Sequence, residues 1–569
     1  MFVDSRRVED KCCLHAEVCV IGGGMAGLAV ALDLGRRGIS TLVLESGGFH
    51  PDEQTRDLYR GESTGIPYFF ADGCRSRFLG GSSNCWGGWC RPMQAQDFEC
   101  RPWVPNSGWP ISLEDLRKYY SRAHSFLKLG PENYDVEFWT SAIGRNDTRR
   151  FPLSGEYLTD AVSQFSPPLR AGRDYRRELA KSKVVTVCLY ANVVDIEAET
   201  GGRTVSGLRV KTLTGRDFRA SGKLYVLAAG GIENARLLLA SNRVAPDGIG
   251  NINDLVGRYF MDHPRVTSGV VTFCDQWSRN KLYDHKFHYQ NSKISAFGTK
   301  IAAQFCTTPK FQEENGLLNS QVWFASKFPG DNTPAADAII RFKHRFERKE
   351  RPGHSIAADL LRVAASPLDS LGFVAARFLQ PTWLIKQVKM QAIVEPVPDP
   401  ASRVTLGEDR DKLGMPRPRL DWKLGDQVKQ TFDQTLALVA NELERVGIAT
   451  VALDPSIAGH AWPSTFEQEG TWHHMGTTRM HVSPRFGVVD RNCLVHGMNN
   501  LFISGSSVFP TAGANFPSIT LVALALRLAD TLYNEIRGEN AGLLSAEDAA
   551  KPDNRSAIVA GAAVSRPCP

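Results

Sequence analysis

The stretch from Glu17 to Glu45 limits what this chain can fold into more than any other. Glu17-Val18-Cys19-Val20-Ile21 is a short apolar run rich in β-branched residues, which predicts a buried parallel strand. It runs into Gly22-Gly23-Gly24-Met25-Ala26-Gly27, a Gly-x-Gly-x-x-Gly. A helix is expected from about Met25 to Arg37, with Gly38 just past its end. Thr41-Leu42-Val43-Leu44 is the next strand, and Glu45 closes it. Each part has a physical task. Gly22 permits the tight turn, Gly24 lets backbone approach a pyrophosphate, and Gly27 allows close helix–strand packing. The helix N-terminus offers unpaired amides to phosphate. Glu45 follows Gly27 by 18 residues, near the ~20 at which a carboxylate reaches a ribose diol. A lone glycine fingerprint also arises from packing alone. Strand, turn, helix, strand and acid in this order point to a dinucleotide site, without choosing between FAD and NAD.

At 569 residues the chain exceeds one ordinary domain, so two are expected, in tandem or interleaved in sequence. Hydrophobic content of 42% and charged content of 22% belong to a globular protein with a large core. A net charge of +6 is mild, and with no arginine-rich tail it argues against nucleic acid as a partner. Twelve cysteines lack a repeated spacing. Reduced thiols in a cytoplasm are expected rather than a disulfide framework or a zinc site. Met1–Leu14 has no apolar core of a signal peptide, and no run of about eighteen apolar residues is present to span a bilayer.

Further along, Arg77 to Gly88 is a glycine- and serine-rich loop holding Gly81, Ser82, Cys85 and Trp86. Ser112-Leu113-Glu114-Asp115 reads as a capping box that opens a helix through about Leu127. Strands and turns from Val184 end in Leu224–Gly231, a second strand–glycine passage, with a helix following from Glu233 to Ala240. Near the C-terminus stand Thr471-Trp472-His473-His474-Met475-Gly476-Thr477 and Gly513-Ala514-Asn515-Phe516-Pro517-Ser518. Phe516 to Leu526 is almost wholly apolar, as for a helix buried against a sheet.

These blocks resemble, in order, those of the glucose–methanol–choline (GMC) oxidoreductases. The likeness rests on the fingerprint with Glu45, Leu79–Gly88, Leu227–Leu239, Val256–Pro264, Arg403–Leu406, Trp472–Thr477 and Asn500–Ser518. Gly108-Trp109-Pro110-Ile111-Ser112 and Gly476-Thr477 look most like the sugar-oxidising branch, pyranose oxidases and sugar dehydrogenases. The resemblance implies an α/β fold (α+β overall) with a discontinuous, Rossmann-like FAD domain and a substrate domain on an antiparallel sheet. The expected limits are 14–264 and 465–537 for the FAD domain, 265–464 for the substrate domain, and 538–569 for a disordered tail. It also implies adenine contacts from backbone near Val193 and Val194, and FAD as cofactor.

The resemblance assigns the general base to His473 and its partner to Asn515. A neutral imidazole suits removal of a hydroxyl proton, and an amide suits a developing alkoxide. A helix beginning near Pro517 would aim its positive end at the flavin edge that gains charge on reduction. Read without the family, His473 is a satisfied loop histidine and Asn515 a helix cap. His474 competes as the base, and His473, His474 and His481 match no common zinc spacing, so no metal is expected. Two departures stand out. Cys85 occupies a place where several relatives carry a flavin-linked histidine, so FAD is expected to be noncovalent, with a thioether as the minor alternative and a buried structural thiol as the bland one. Gly505 replaces a common aspartate, leaving the backbone amides of Gly505 and Ser506, beside Phe516, to meet the cofactor. Arg341 to Arg351 holds six basic residues, read as a solvated helix face before an acidic ligand or a membrane surface.

The leading expectation is an FAD-dependent oxidoreductase, a dehydrogenase before an oxidase, acting on a CH–OH group of a sugar, glycoside or cyclitol. Its alternatives are an enzyme of a hydrophobic alcohol or sterol, a flavin-binding protein without catalysis, and an NAD-linked dehydrogenase. The electron acceptor (oxygen, quinone or redox protein) stays open.

Overall fold

A computed structural model describes residues 1–68, 75–167, 169–275, 280–287, 294–331, 333–346, 355–379, 382–455, 462 and 471–538. The expected tail lies outside these residues apart from its first position, as does the end of the basic run at 347–351. Six parallel strands form the nucleotide-side sheet, in the order Phe2–Asp4, Val185–Leu189, Thr41–Glu45, Val18–Ile21, Leu224–Leu227 and Leu501–Ile503. The central strands are buried along their whole length, which is why they read as unbroken apolar runs. Helix Met25–Arg36 follows the glycine turn, and Gly38 beyond it is left-handed at φ +79°. A Cβ on Gly27 would stand 2.0 Å from the carbonyl oxygen of Gly22, so helix and turn touch at a distance only glycine permits.

The second large sheet is antiparallel. Its main path runs Ala449–Ala452, Arg265–Phe273, Gln387–Val394, Ser320–Lys327, Thr299–Thr307, Leu158–Phe165 and Trp89–Cys90. Helix Asp426–Arg445 packs across it through Val428, Phe432, Leu436 and Val439, all fully buried. The expected domain limits cut across this architecture. Leu158–Phe165 and Trp89–Cys90 fall inside 14–264, yet pair with the substrate-side sheet. Arg403–Arg410 and Pro416–Asp421 fall inside 265–464, yet pack on helix Gly231–Ala240 of the nucleotide side. Strand pairing is set by long-range complementarity, which a linear cut cannot follow.

Two further expectations are corrected. The C-terminal helix, Ser518–Arg537, lies mainly against helices Leu113–Leu127 and Met25–Arg36 rather than against a sheet. Cys100 is disulfide-bonded, so the thiols are not uniformly reduced, and the thiol argument for a cytoplasmic setting falls with that. No helix among the described residues is long and apolar enough to cross a membrane.

Candidate active site

One cavity of about 380 Å³ opens where the parallel strands end, and the antiparallel sheet covers it. Ile21 and Gly22, Leu44 and Glu45, Ala228, and Ser504 and Gly505 all stand at the carboxyl ends of neighbouring strands. That is where open parallel sheets bind ligands. Gly24, Gly81, Ser82, Cys85, Trp86, Ser506, Phe516 and His473 join the same wall. Gly27, Val194 and Asn515 do not line it. Gly27 serves packing, and Val193, one residue before Val194 on its strand, faces the cavity instead.

The residues at the nucleotide end fit a dinucleotide. Glu45 is buried, and its carboxylate accepts from the backbone N–H of Gly23 and of Gly47, both at 2.8 Å. Burial pushes its pKa up, partly offset by those two amides. The loops bearing Gly24 and Gly81 touch, a Cβ on Gly81 falling 2.8 Å from Gly24 Cα. Gly505, at φ +130°, has no protein atom within 4 Å of where a Cβ would point. The cavity beside Gly505 is thus kept open by a missing side chain. The Ser506 hydroxyl donates to the His474 carbonyl at 2.7 Å, leaving backbone as its contribution to the cavity. Glu233 at the same end is held by Arg75, Arg77 and Arg236. Burial opposes its charge, yet the three guanidiniums keep the carboxyl down at about 2.

Helix Ser518–Arg537 begins at the cavity wall with Pro517 as its N-cap and no side-chain cap, and Pro517, Ser518 and Leu521 line the wall. Its uncapped amides and dipole present positive potential to the cavity. The Cys85 thiol is exposed and lines the cavity, rather than being a buried structural thiol. The loop of Gly80–Cys85 turns it outward.

The histidines are sorted by their surroundings. His474 is buried against the rings of Tyr68 and Phe260, and burial, with Arg75 nearby, holds its pKa down at about 3. His473 stands in the cavity wall, its ring 6.0 Å from that of Phe516. Its Nδ1 lies 2.9 Å from Nδ1 of His263, whose Nε2 lies 2.7 Å from the carbonyl oxygen of Gly513. The partners assign the tautomers. A carbonyl only accepts, so His263 carries its proton on Nε2 and accepts at Nδ1. His473 therefore donates from Nδ1, and its Nε2 keeps a free lone pair. Burial, then His263, His474 and Arg265, hold the His473 pKa well below its usual value.

Asp262 fixes the loop that carries His473. Its carboxylate accepts from the Thr471 hydroxyl and the His473 N–H at 2.7 Å, the Trp472 N–H at 3.1 Å and the Tyr68 hydroxyl at 2.6 Å. Trp472 between them is left-handed at φ +59°, a strained turn for a bulky residue. Asn515 is buried and does not cap the helix. Its Oδ1 accepts from Arg91 Nε, and its Nδ2 donates to the Pro92 carbonyl, both at 2.6 Å. An amide has two N–H groups, so one at most remains for a ligand.

Beyond His473 the wall is aromatic. The His285 ring is stacked on that of Trp323 at 4.3 Å and tilted by 39° against that of Trp89 at 3.9 Å. Arg265 stands in the same wall. Sequence reasoning singled out neither His263, Asp262, Arg91 nor the aromatic stack. The signal available was Met261-Asp262-His263-Pro264, an acid and an imidazole set in an apolar run. Among the described residues no group of His, Cys, Asp or Glu is arranged to hold a metal.

Comparison with known proteins agrees with this geometry. Residues 17–246 match the FAD dependent oxidoreductase family and residues 398–525 the GMC oxidoreductase family. The chain is 22% identical to the fructose dehydrogenase large subunit of Gluconobacter japonicus, over 92% of this chain and 99% of that one. It is 23% identical to the 6'''-hydroxyparomomycin C oxidase of Streptomyces lividus, over 92% of each. The 2-methyl-1,2-propanediol dehydrogenase of Mycolicibacterium austroafricanum is 24% identical, over 91% of this chain and 95% of the other. A formate oxidase of Aspergillus oryzae has the same fold, with a TM-score of 0.51 at 16% identity, covering 93% of this chain and all of that one. Residues 17–246 thus carry an FAD dependent oxidoreductase domain and residues 398–525 a GMC oxidoreductase domain, and with the cavity at the ends of the parallel strands they make this chain an FAD-dependent oxidoreductase.

Proposed function

We propose that the protein oxidises a CH–OH group of a sugar, glycoside or cyclitol to the carbonyl, with noncovalent FAD and an acceptor other than oxygen. The observation that carries this reading is the lone pair of His473 Nε2 in a wall shared with the aromatic rings of Trp89, His285 and Trp323. FAD, when bound, supplies the hydride acceptor. Every other task falls to the chain. His473 Nε2 takes the hydroxyl proton, and its neutral state leaves the lone pair available. The N-terminus of helix Ser518–Arg537, with Pro517 and Ser518 in the wall, favours negative charge on oxygen. The aromatic wall of Trp89, His285 and Trp323 suits the C–H face of a pyranose, while Arg265 offers donors to its hydroxyls. Two of the relatives are named for acting on fructose and on an aminoglycoside, which supports the same class.

A second reading is an apolar alcohol or diol. Trp89, Trp323, Ile393 and Phe516 in the wall favour it, as does the relative named for 2-methyl-1,2-propanediol. Anaerobic bleaching of the flavin across pyranoses, glycosides, cyclitols and aliphatic alcohols, followed by air, separates the two. Bleaching by the cyclic polyols with slow recovery in air is expected. Bleaching confined to the aliphatic set contradicts the substrate class, and rapid recovery in air contradicts the acceptor.

A further inference from the structure

Between strands Ser320–Lys327 and Gln387–Val394 of the antiparallel sheet, the chain leaves the core and builds three helices. These are Pro334–Phe346, Ile356–Ala365 and Pro367–Phe378, followed by a short turn at Thr382–Leu384. The insertion is anchored from inside. Ala335, Ala336, Ala338 and Phe373 are buried, and Arg341 and Arg362 both donate to the buried carboxylate of Asp359. Its outer side is another matter. Leu360, Leu361, Leu368, Leu371, Leu379 and Trp383 are all 56–82% exposed. Leu368, Leu371 and Leu379 recur at a helical spacing and share one face. Single exposed leucines need no explanation, but this many on two consecutive helices and the turn after them do.

Charge narrows the choice of partner. Residues 334–386 hold nine Lys or Arg against five Asp or Glu, which is +4 of the chain's +6 in under a tenth of its length. Lys386 is exposed, three residues after Trp383. A second copy on this face would set one +4 segment against another, and like charge opposes that contact. Leucines flanked by tryptophan and basic residues are instead the composition of a lipid interface. Helices of 10 and 12 residues are too short to cross a bilayer and long enough to lie in its surface.

We propose that this insertion docks the protein on the surface of an anionic bilayer, its leucines and Trp383 entering the headgroup boundary and Lys386 meeting the lipid phosphates. The inference is independent of the substrate class. The test is sedimentation of the full-length flavoprotein with phosphatidylcholine vesicles, with and without phosphatidylglycerol. Binding to the phosphatidylglycerol vesicles is expected, weakened about tenfold or more in high salt. Leu368→Glu/Leu371→Glu should lose it, and Trp383→Ser should weaken it, both keeping the parent's flavin content and turnover. The proposal is overturned if the parent ignores both vesicles, or if the double variant binds as tightly as the parent. It is equally overturned if sedimentation velocity shows a parent dimer that the double variant dissolves, with no lipid bound.

Discussion

The Nδ1 atoms of His263 and His473 lie 2.9 Å apart, and one ring must present a proton to the other's lone pair. The Gly513 carbonyl at 2.7 Å from His263 Nε2 settles which. His263 thus acts as a positioning residue that keeps the His473 lone pair on Nε2. His263→Ala should slow anaerobic flavin reduction by about 10- to 10²-fold, as loss of an orienting partner does at other sites. His263→Asn should recover part of the loss, because a carboxamide both accepts and donates. Stopped-flow reduction of the three proteins, with KM followed separately, checks this. Equal rates for all three would remove the positioning role of His263.

Arg265 is one of the cations that hold the His473 pKa down, after burial and the two neighbouring histidines. A base with a depressed pKa stays unprotonated as pH falls, so the acid limb of kcat/KM should lie below the ordinary histidine value of about 6.5. Removing a positive neighbour raises that pKa. Arg265→Gln should move the limb to higher pH and raise KM for polyol substrates. A pH profile with an artificial electron acceptor reads both effects.

The bidentate pair of Arg101 with Glu395, at 2.7 and 2.6 Å, is buried on both sides. Glu395 also accepts from the Gly513 N–H at 3.2 Å, which ties the antiparallel sheet to the loop before Asn515. Arg101→Met strands a buried carboxylate, and a loss of about 3–5 kcal/mol is expected. Urea denaturation with flavin bound measures it.

Flavin attachment can be read directly. Cys85 is exposed at the cavity, with its Sγ 3.4 Å from the Ser82 carbonyl oxygen. On the noncovalent account, acid precipitation releases the flavin into the supernatant, and Cys85→Ser keeps its flavin content. Yellow colour that stays with the precipitated parent, and leaves it in Cys85→Ser, would establish a thioether.

What the sequence disclosed was local. The turn, helix and acid of Gly22–Glu45 lie within one short stretch, and each follows from its neighbours. Ser112 and Asp115 form the reciprocal cap that their spacing implies. What it concealed was long-range. His263 and His473 are 210 positions apart, and Arg91 and Asn515 are 424 apart. No periodicity reports such meetings. The strand Leu158–Phe165 looks alike whichever sheet receives it, and the apolar face of Ser518–Arg537 does not say whether helices or strands will cover it. Asn515 shows the limit well: its hold on Arg91 and Pro92, outside the cavity lining, required the fold.

The central claim is that His473, with its lone pair set by His263, removes the substrate's hydroxyl proton. It is tested most directly by anaerobic flavin reduction in His473→Ala, compared with the parent on the best polyol substrate. The account predicts a rate lowered by about 10²–10⁴-fold with flavin content retained. A flavin-replete His473→Ala protein that is reduced as fast as the parent would contradict it.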